Sequence, residues 1–250
     1  MGNFFDKFLN KKNSKKLFYA CYTGDLNLVK YLVENGADIN KKRKGGFTSL
    51  YVACQNGHND VVKYLVKHGA DLNKGNDNDE TPLFIASQKG HNTVVQYLVE
   101  HGADINKGMN NGKTPLFIAC QEGHITVVKY LIEHGADINK ENNDGYTPLM
   151  KACFDGKEDI VKCLVEHGAD IDKGTKRGAA NPILLAALEK HINIVKYLVE
   201  QGADINNERH NNIIPVCIEY ENENKEKVKY YLPSILGRQY LESTKGWFLF

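Results

Sequence analysis

The chain has 250 residues, of which 42% are hydrophobic and 25% are charged, a composition typical of a soluble globular protein. The formal net charge of +1 argues against nucleic acid and against an anionic membrane as partners. No apolar run approaches the roughly 18 residues that a membrane-spanning helix needs. We expect a protein of a reducing compartment, the cytoplasm, with the nucleus as an alternative.

Residues 1–12 come first and carry four large apolar residues among lysines and polar residues, namely Phe4, Phe5, Phe8 and Leu9. This apolar stretch is too short for a secretory signal. We interpret 1–12 as an N-terminal cap segment over the part of the chain that follows. Contact with a membrane is the less favoured alternative.

Two short motifs then recur at one period of 33 or 34 residues. The first is Gly-Ala-Asp, which begins at Gly36, Gly69, Gly102, Gly135, Gly168 and Gly202. The second is a helix start of the Thr-Pro-Leu type, which begins at Thr48, Thr81, Thr114, Thr147 and Asn181 and continues, degraded, at Ile214. Two motifs in one register predict a repeat protein, whose units bury their apolar faces only by stacking.

Residues 79–111 illustrate how one unit is built. Thr81 is a suitable N-cap, and Pro82 suits the first turn of a helix. Gly90 and Gly102 can each end a helix in the left-handed conformation. The second helix has one apolar stripe, formed by Val94, Val95, Leu98 and Val99. A polar stretch rich in Gly and Asn follows, so the unit is predicted to be helix, turn, helix and loop.

These features resemble the ankyrin repeat family, which also has a Gly-His pair between its helices, here at Gly57-His58, Gly90-His91 and Gly123-His124. The amino-acid sequences of the repeats are similar to those of expanded ankyrin families of protists, fungi and large viruses. The resemblance implies an all-α solenoid with short β-hairpin-like loops. We predict seven repeats over 13–232, the first and last being atypical caps, at 13–45, 46–78, 79–111, 112–144, 145–178, 179–211 and 212–232.

The chain departs from the family at a recurring position of the first helix, and its tail leaves the period. The His that usually follows Thr-Pro-Leu is absent, and its position holds Tyr51, Phe84, Phe117, Met150 and Leu184. We expect packing to replace the hydrogen bonds of that His. Residues 233–250 leave the period and end in apolar residues, so they can cover the last repeat or dock on a partner. We favour the C-terminal cap.

The recurring Cys, His and Asp residues favour structural roles over chemistry. One helix position holds a small residue in six repeats, namely Cys21, Cys54, Ser87, Cys120, Cys153 and Ala187. Such a position is a small packing site, where a free Cys behaves as a small hydrophobe. Equivalent histidines lie a repeat apart, and the Asp of each Gly-Ala-Asp is typical of turn hydrogen bonding. We predict no catalytic residue, no metal and no cofactor.

In the family, the positions that vary between repeats lie at the loop tips and on the exposed side of the first helix, where they line a concave groove. The candidate protein-binding residues are Tyr22, Phe47, Glu80, Gln88, Lys113, Gln121, Tyr146, Phe154 and Leu188. Exposed aromatic residues often anchor interfaces, so Tyr146 and Phe154 are the leading candidates. The alternative is that these rings only pack between neighbouring loops.

The loop tips also alternate in charge. Lys41 to Lys44 are all basic, the next tip carries Asp77, Asp79 and Glu80, and the following one carries Lys107 and Lys113. A partner with opposite charges in the same order could be oriented by this pattern, and chance spacing is the alternative.

The sequence therefore predicts a monomeric scaffold or adapter that binds another protein and has no enzymatic activity. One alternative is a substrate-recognition subunit or host-directed effector that recruits ubiquitin-type machinery. Another is an enzyme with a cryptic site in the groove, which we disfavour because the repeats leave no room for a catalytic domain.

Overall fold

The structure is a computed structural model that describes the backbone of residues 2–175, 180–204, 214–221 and 227–234, and the side chains of 13–175 and 180–204. The chain divides into two compact units, Met1–Asp137 and Ile138–Phe250. Each unit is described by itself.

Unit 1 holds helices that follow one another in pairs, each pair being one repeat. They are α1 (Gly2–Thr23), α2 (Leu26–Glu34), α3 (Ser49–Gln55), α4 (Asn59–Lys67), α5 (Pro82–Lys89), α6 (Asn92–Glu100), α7 (Pro115–Glu122) and α8 (Ile125–Glu133).

Unit 2 holds two further helix pairs and a hairpin, namely α9 (Pro148–Phe154), α10 (Glu158–Glu166), α11 (Pro182–Leu188), α12 (Ile192–Glu200), β1 (Ile214–Glu221) and β2 (Lys227–Ser234). The helix pairs of both units confirm the predicted all-α repeat solenoid. Within the part of the chain that the structure describes, no helix combines the length and the apolar character needed to cross a bilayer.

The helix ends follow from the recurring residues. The hydroxyl of Thr81 accepts a hydrogen bond from the N–H of Phe84 at 3.1 Å, so it satisfies a donor that the first turn of α5 leaves free. Thr48, Thr114, Thr147 and Asn181 cap their helices in the same way. Gly90 ends α5 with φ +69°, a left-handed conformation that glycine adopts without strain.

The core is built from the positions that recur. In the repeat 79–111, Leu83, Ala86, Val94, Val95 and Leu98 are at most 1% exposed. The side chains that stand where the family has His are also buried, namely Tyr51, Phe84, Phe117, Met150 and Leu184. These side chains are therefore part of the packed core, and that packing replaces the hydrogen bonds of the His remains a prediction.

Each loop is closed by a backbone hydrogen bond between its two ends, which makes it a hairpin-like turn. The N–H of Arg43 donates to the carbonyl of Phe47 at 2.8 Å, and that of Asn76 donates to Glu80 at 3.1 Å. Met109 and Asn142 donate in the same way to Lys113 and Tyr146. The residue that closes each turn is thus held by its backbone, whatever its side chain.

The prediction of a seventh repeat is wrong, because residues 214–221 and 227–234 form antiparallel strands instead of helices. The register pairs Val216 with Leu232 and Ile218 with Tyr230. Apolar residues alternate along β1 with period two, which favours a strand, and the segment lacks a Thr cap and a Gly-Ala-Asp end. Strand β2 lies beside α11. The tail that follows Ser234 is outside the described residues.

The predicted boundary at residue 12 is also absent. Helix α1 runs without a break from Gly2 to Thr23, so the cap segment is the first part of the helix that begins the first repeat. No Gly or Pro interrupts the sequence between these ends, and nothing therefore stops the helix. The side chains of residues 1–12 are outside the described set.

Ser87 is expected to be a weak point of the core. It is fully buried at the position where other repeats have Cys, and its hydroxyl has no hydrogen-bond partner among the described residues. Ser87→Ala should raise the free energy of unfolding by about 1 kcal/mol, since it removes an unsatisfied polar group. Urea denaturation measures the change. Ser49→Ala is the control, because the buried Ser49 hydroxyl bonds Cys21; an equal gain there would contradict the prediction.

Lys190 is expected to be strained. It has φ +62° at the position where other repeats have Gly57, Gly90 or Gly156. Lys190→Gly should stabilise the protein by about 1 kcal/mol, because glycine adopts this conformation without a Cβ clash. Lys190→Ala keeps the Cβ and should give no such gain in the same thermal or urea measurement. A gain of equal size in both variants would point to the Lys side chain instead of the backbone.

Candidate protein-interaction surface

A histidine between the two helices of a repeat forms a hydrogen bond to the backbone of the preceding repeat. We call this contact the latch. The Nε2 of His58 donates to the carbonyl of Tyr22 at 3.0 Å, and the Nε2 of His124 donates to that of Gln88 at 2.9 Å. His91 and His191 bond Gln55 and Phe154 in the same way. Each ring lies against the glycine that ends the preceding helix. The structural role predicted for these histidines is confirmed.

A Cβ on those glycines would collide with the histidine ring. Built on Gly90, it would lie 2.6 Å from Nδ1 of His124, and on Gly57 it would lie 2.8 Å from the ring of His91. The glycine therefore serves two purposes, since it adopts a positive φ and leaves room for the next repeat.

A second set of bonds between repeats comes from asparagines that our sequence reasoning missed. They lie two residues after each Asp of Gly-Ala-Asp. The side-chain oxygen of Asn40 accepts from the N–H of Asp71 at 2.8 Å, and that of Asn73 accepts from Asp104 at 2.8 Å. Asn106 and Asn139 act in the same way on Asp137 and Asp170. The recurring Asn was visible in the sequence, but its partner is 31 residues away.

The aspartates accept bonds within their own turn, as predicted. The carboxylate of Asp71 accepts from the N–H of Asn73 at 2.9 Å, and that of Asp104 accepts from Asn106 at 3.0 Å. Among the described side chains, no three His, Cys, Asp or Glu residues converge in a group that could hold a metal ion.

The cysteines behave as core residues. Cys21, Cys54 and Cys153 are fully buried, and the thiols are unpaired with one another. Burial raises the pKa of Cys21 to about 12, and it raises the pKa of Cys54 and Cys153 well above the usual value. Such thiols carry almost no thiolate at neutral pH, which does not suit a nucleophile.

By their position within the repeat, the candidate binding residues fall into two sets of equivalent residues, which we call columns. The first, here the helix-end column, comprises Tyr22, Gln88, Gln121, Phe154 and Leu188. Tyr22 is 53% exposed and Phe154 is 41% exposed, while the other three are half-buried. In Tyr22, Gln88 and Phe154 the carbonyl is held by the histidine of the next repeat. The backbone of these three residues is thus fixed, and their side chains can contact a partner.

The second set, here the loop-end column, comprises Phe47, Glu80, Lys113 and Tyr146, the residues whose carbonyls close the hairpin-like turns. All four side chains are half-buried. The Phe47 ring lies 5.0 Å from that of Tyr51. The amide N–H of Tyr146 donates to the Asn142 side chain at 2.9 Å.

Glu80 has structural partners that the sequence did not indicate. Its Oε2 accepts bonds from the Tyr51 hydroxyl at 2.9 Å and from the Asn76 side chain at 2.6 Å. Burial, reinforced by this carboxylate, raises the pKa of Tyr51 well above its usual value, so the phenol remains a donor. Glu80 therefore stabilises the second loop. Its carboxylate is already hydrogen-bonded, which makes it a weaker candidate for contact with a partner.

Lys113 and Gln121 bond each other, with Nζ to Oε1 at 3.0 Å, and the Lys113 Nζ lies 5.5 Å from the centre of the Phe117 ring. Gln121 also donates to Glu122 at 3.0 Å. The structure thus joins two candidate residues from the two columns into one polar group on the repeat 112–144.

In unit 2, Phe154 is the exposed aromatic residue of the helix-end column. The Lys151 Nζ lies 5.0 Å from the centre of its ring and pairs with Asp155 at 2.7 Å. The cation is partly neutralised by that carboxylate, and the residue is 41% exposed, so a partner can contact the ring.

Two exposed aromatic residues lie outside the predicted set. Tyr19 is 66% exposed and Tyr31 is 61% exposed, both in the first repeat. Tyr31 stands at the position of Tyr64, Tyr97 and Tyr130, which are half-buried. The hydroxyls of Tyr97 and Tyr130 donate to the carbonyls of Lys63 and Gln96 in the preceding repeat at 3.5 Å.

Comparison with known families and proteins agrees with this geometry. The family described as "Ankyrin repeats (3 copies)" matches residues 3–76, 72–142 and 137–209. Among proteins with curated descriptions, none matches the chain. The family match covers most of the sequence and follows the same helix pairs that the latches join. The chain belongs to the ankyrin repeat family.

Proposed function

We propose that the protein is an interaction scaffold that binds another protein through the helix-end column and the loop-end column. The observation that carries this proposal is the separation of roles along each repeat. Recurring Thr, Gly, His and Asn residues hold the backbone, as at His124 and Asn73. Apart from Glu80, which stabilises its own loop, the side chains of the two columns differ between most repeats, so they can be selected for a partner without loss of the fold.

The aromatic residues of the columns supply the anchors. Tyr146 and Phe154 belong to the same repeat of unit 2, and the Phe154 ring is 41% exposed. Rigid aromatic side chains bury a large area at a small cost in conformational entropy, and they are enriched among the residues that dominate binding. Family membership supports the class of partner, since ankyrin repeats are generally modules of protein–protein interaction.

The test is affinity capture with the full chain, followed by measurement of affinity for the purified partner. Tyr146→Ala combined with Phe154→Ala should reduce binding at least about a hundredfold, because it truncates both anchors. The melting temperature of the variant should stay within a few degrees of the wild type, since neither ring is fully buried.

Tyr19→Ala combined with Tyr31→Ala is the matched control, because it removes two exposed aromatic residues outside both columns. Binding should be unchanged in this variant. Loss of binding in the control together with full binding in the Tyr146 and Phe154 variant would refute the proposed surface.

The proposal includes no catalysis, no nucleic-acid partner and a monomeric, cytoplasmic protein. Its physical support is that the described titratable groups of the repeats serve the fold. The recurring histidines donate to backbone carbonyls, the recurring aspartates accept within turns, and burial raises the pKa of thiols such as Cys54.

A further inference from the structure

The loop tips carry many charges, but the structure shows that only some of them are free to act on a partner. Lys107 donates to the carbonyl of Asn73 at 2.9 Å, and Lys113 bonds Gln121. In unit 2, Lys173 pairs with Glu141 at 3.1 Å. These charges already have partners, so the alternation seen along the sequence overstates what is available for binding.

The first two tips of unit 1 are different. Tip 1 comprises Lys41, Lys42, Arg43 and Lys44, and tip 2 comprises Asp77 and Asp79. Five of the six side chains are exposed and Arg43 is half-buried. None of the six side chains has an ion pair or a side-chain hydrogen bond within the described part of the chain. Two neighbouring tips therefore display unpaired charges of opposite sign.

The two tips are held against each other by their backbones. The N–H of Asp77 donates to the carbonyl of Gly45 at 3.0 Å, and a Cβ on Gly46 would collide with Asp77. Within tip 1, the N–H of Gly46 donates to the carbonyl of Arg43 at 2.9 Å. The relative position of the basic and acidic groups is thus fixed before any partner arrives, which reduces the entropy lost on binding.

We infer that tips 1 and 2 bind a protein segment in which a block of acidic residues adjoins a block of basic residues, the acidic block facing tip 1 and the basic block facing tip 2. This inference rests on the proposed function and specifies the partner. Neighbouring repeats are about 10 Å apart, the usual distance between packed helices, which an extended chain covers in about three residues. Opposite charges placed in order fix the orientation of such a segment.

The acidic tip argues against a uniform polyanion as the occupant. A nucleic acid or an anionic bilayer carries negative charge continuously, so a surface that meets tip 1 would also meet Asp77 and Asp79. At a spacing of about 10 Å, comparable to the Debye length of about 8 Å at physiological ionic strength, these two carboxylates repel it. A segment with both charge signs satisfies both tips.

The experiment measures binding of two fluorescent peptides of equal composition to the full chain. One has a block of glutamates followed by a block of lysines, and the other has these residues alternating. We expect the block peptide to bind at least about tenfold more tightly at low salt, with the difference decreasing as salt is added. Equal affinity for the two peptides, or tighter binding of duplex DNA or of polyglutamate, would overturn the inference.

Matched variants locate the site. Changing Lys41, Lys42 and Lys44 to Glu should lower affinity for the block peptide at least about tenfold. The same change at Lys63, Lys67 and Lys129, exposed lysines of the second helices, alters net charge equally and should leave affinity within about twofold. An equal loss in both variants would show a net-charge effect and overturn the site.

Asp79→Gly separates binding from stability. Asp79 has φ +58° at the tip position where other loops have Gly112 and Gly145, so glycine should relieve strain and stabilise the protein. It should nevertheless weaken binding of the block peptide, because one tip 2 charge is removed. Unchanged binding would contradict the role of tip 2. If a captured partner requires Tyr146 and Phe154 but binds every tip variant with unchanged affinity, this inference fails while the proposed function stands.

Discussion

Gly90→Ala is expected to lower the free energy of unfolding by about 3 kcal/mol, one of the two largest effects that the structure predicts. Gly90 has φ +69°, which alanine adopts only with strain, and the new Cβ would lie 2.6 Å from His124. The ring must then move, which breaks its bond to the carbonyl of Gln88. Urea denaturation followed by circular dichroism measures the loss.

Gly102→Ala is the matched control, because Gly102 has φ +89° but nothing lies within 4 Å of the added Cβ. It should cost only the backbone strain, about 1 kcal/mol. A double-mutant cycle isolates the contact: in a His124→Ala background, Gly90→Ala should cost no more than Gly102→Ala. Equal costs for both glycines in the wild-type background would refute the latch.

Phe117→Ala is expected to lower the free energy of unfolding by about 4 kcal/mol, the second of the two largest effects. Phe117 is 1% exposed at the position where the family has His, and its N–H donates to Thr114. Removing the ring leaves a cavity that neighbours cannot fill fully, since the backbone of α7 is fixed by the cap. Chemical denaturation measures the loss directly.

Phe154→Ala removes the same side chain at an exposed position and should cost less than about 1 kcal/mol. Phe117→His adds a test of the departure from the family. The His ring is smaller and more polar than the Phe ring but still fills much of the buried space, so its cost should lie between those of the other two variants. A cost for Phe117→Ala as small as that for Phe154→Ala would show that packing at this position does not replace the family's His.

The sequence was sufficient for the local part of the fold. Thr81 and Gly90 determine helix ends within their own repeat, and both were predicted from residue type and position. The contacts of His124 and Asn73 were not predicted, because they join residues about one repeat apart and depend on how repeats stack. Period alone shows that units recur, but it does not show which atoms meet between them.

The ends of the array were predicted least well. Ile214-Pro215-Val216 lies in the register of the helix starts, and this led to an expected seventh repeat. The period-two alternation of Val216, Ile218 and Tyr220 was the better signal, and the structure forms β1 there. For the binding surface, the sequence predicted the two columns. It could not show that the Glu80 carboxylate already accepts hydrogen bonds from Tyr51 and Asn76.

Site-specific photo-crosslinking with the captured partner gives the most direct test of the claim that recurring residues hold the fold while the two columns bind. A crosslinking residue at Gln88 or Phe154 should join the partner, and one at Lys63 or Lys162, exposed on the second helices, should not. Crosslinks confined to Lys63 and Lys162, with none at Gln88 or Phe154, would contradict the account.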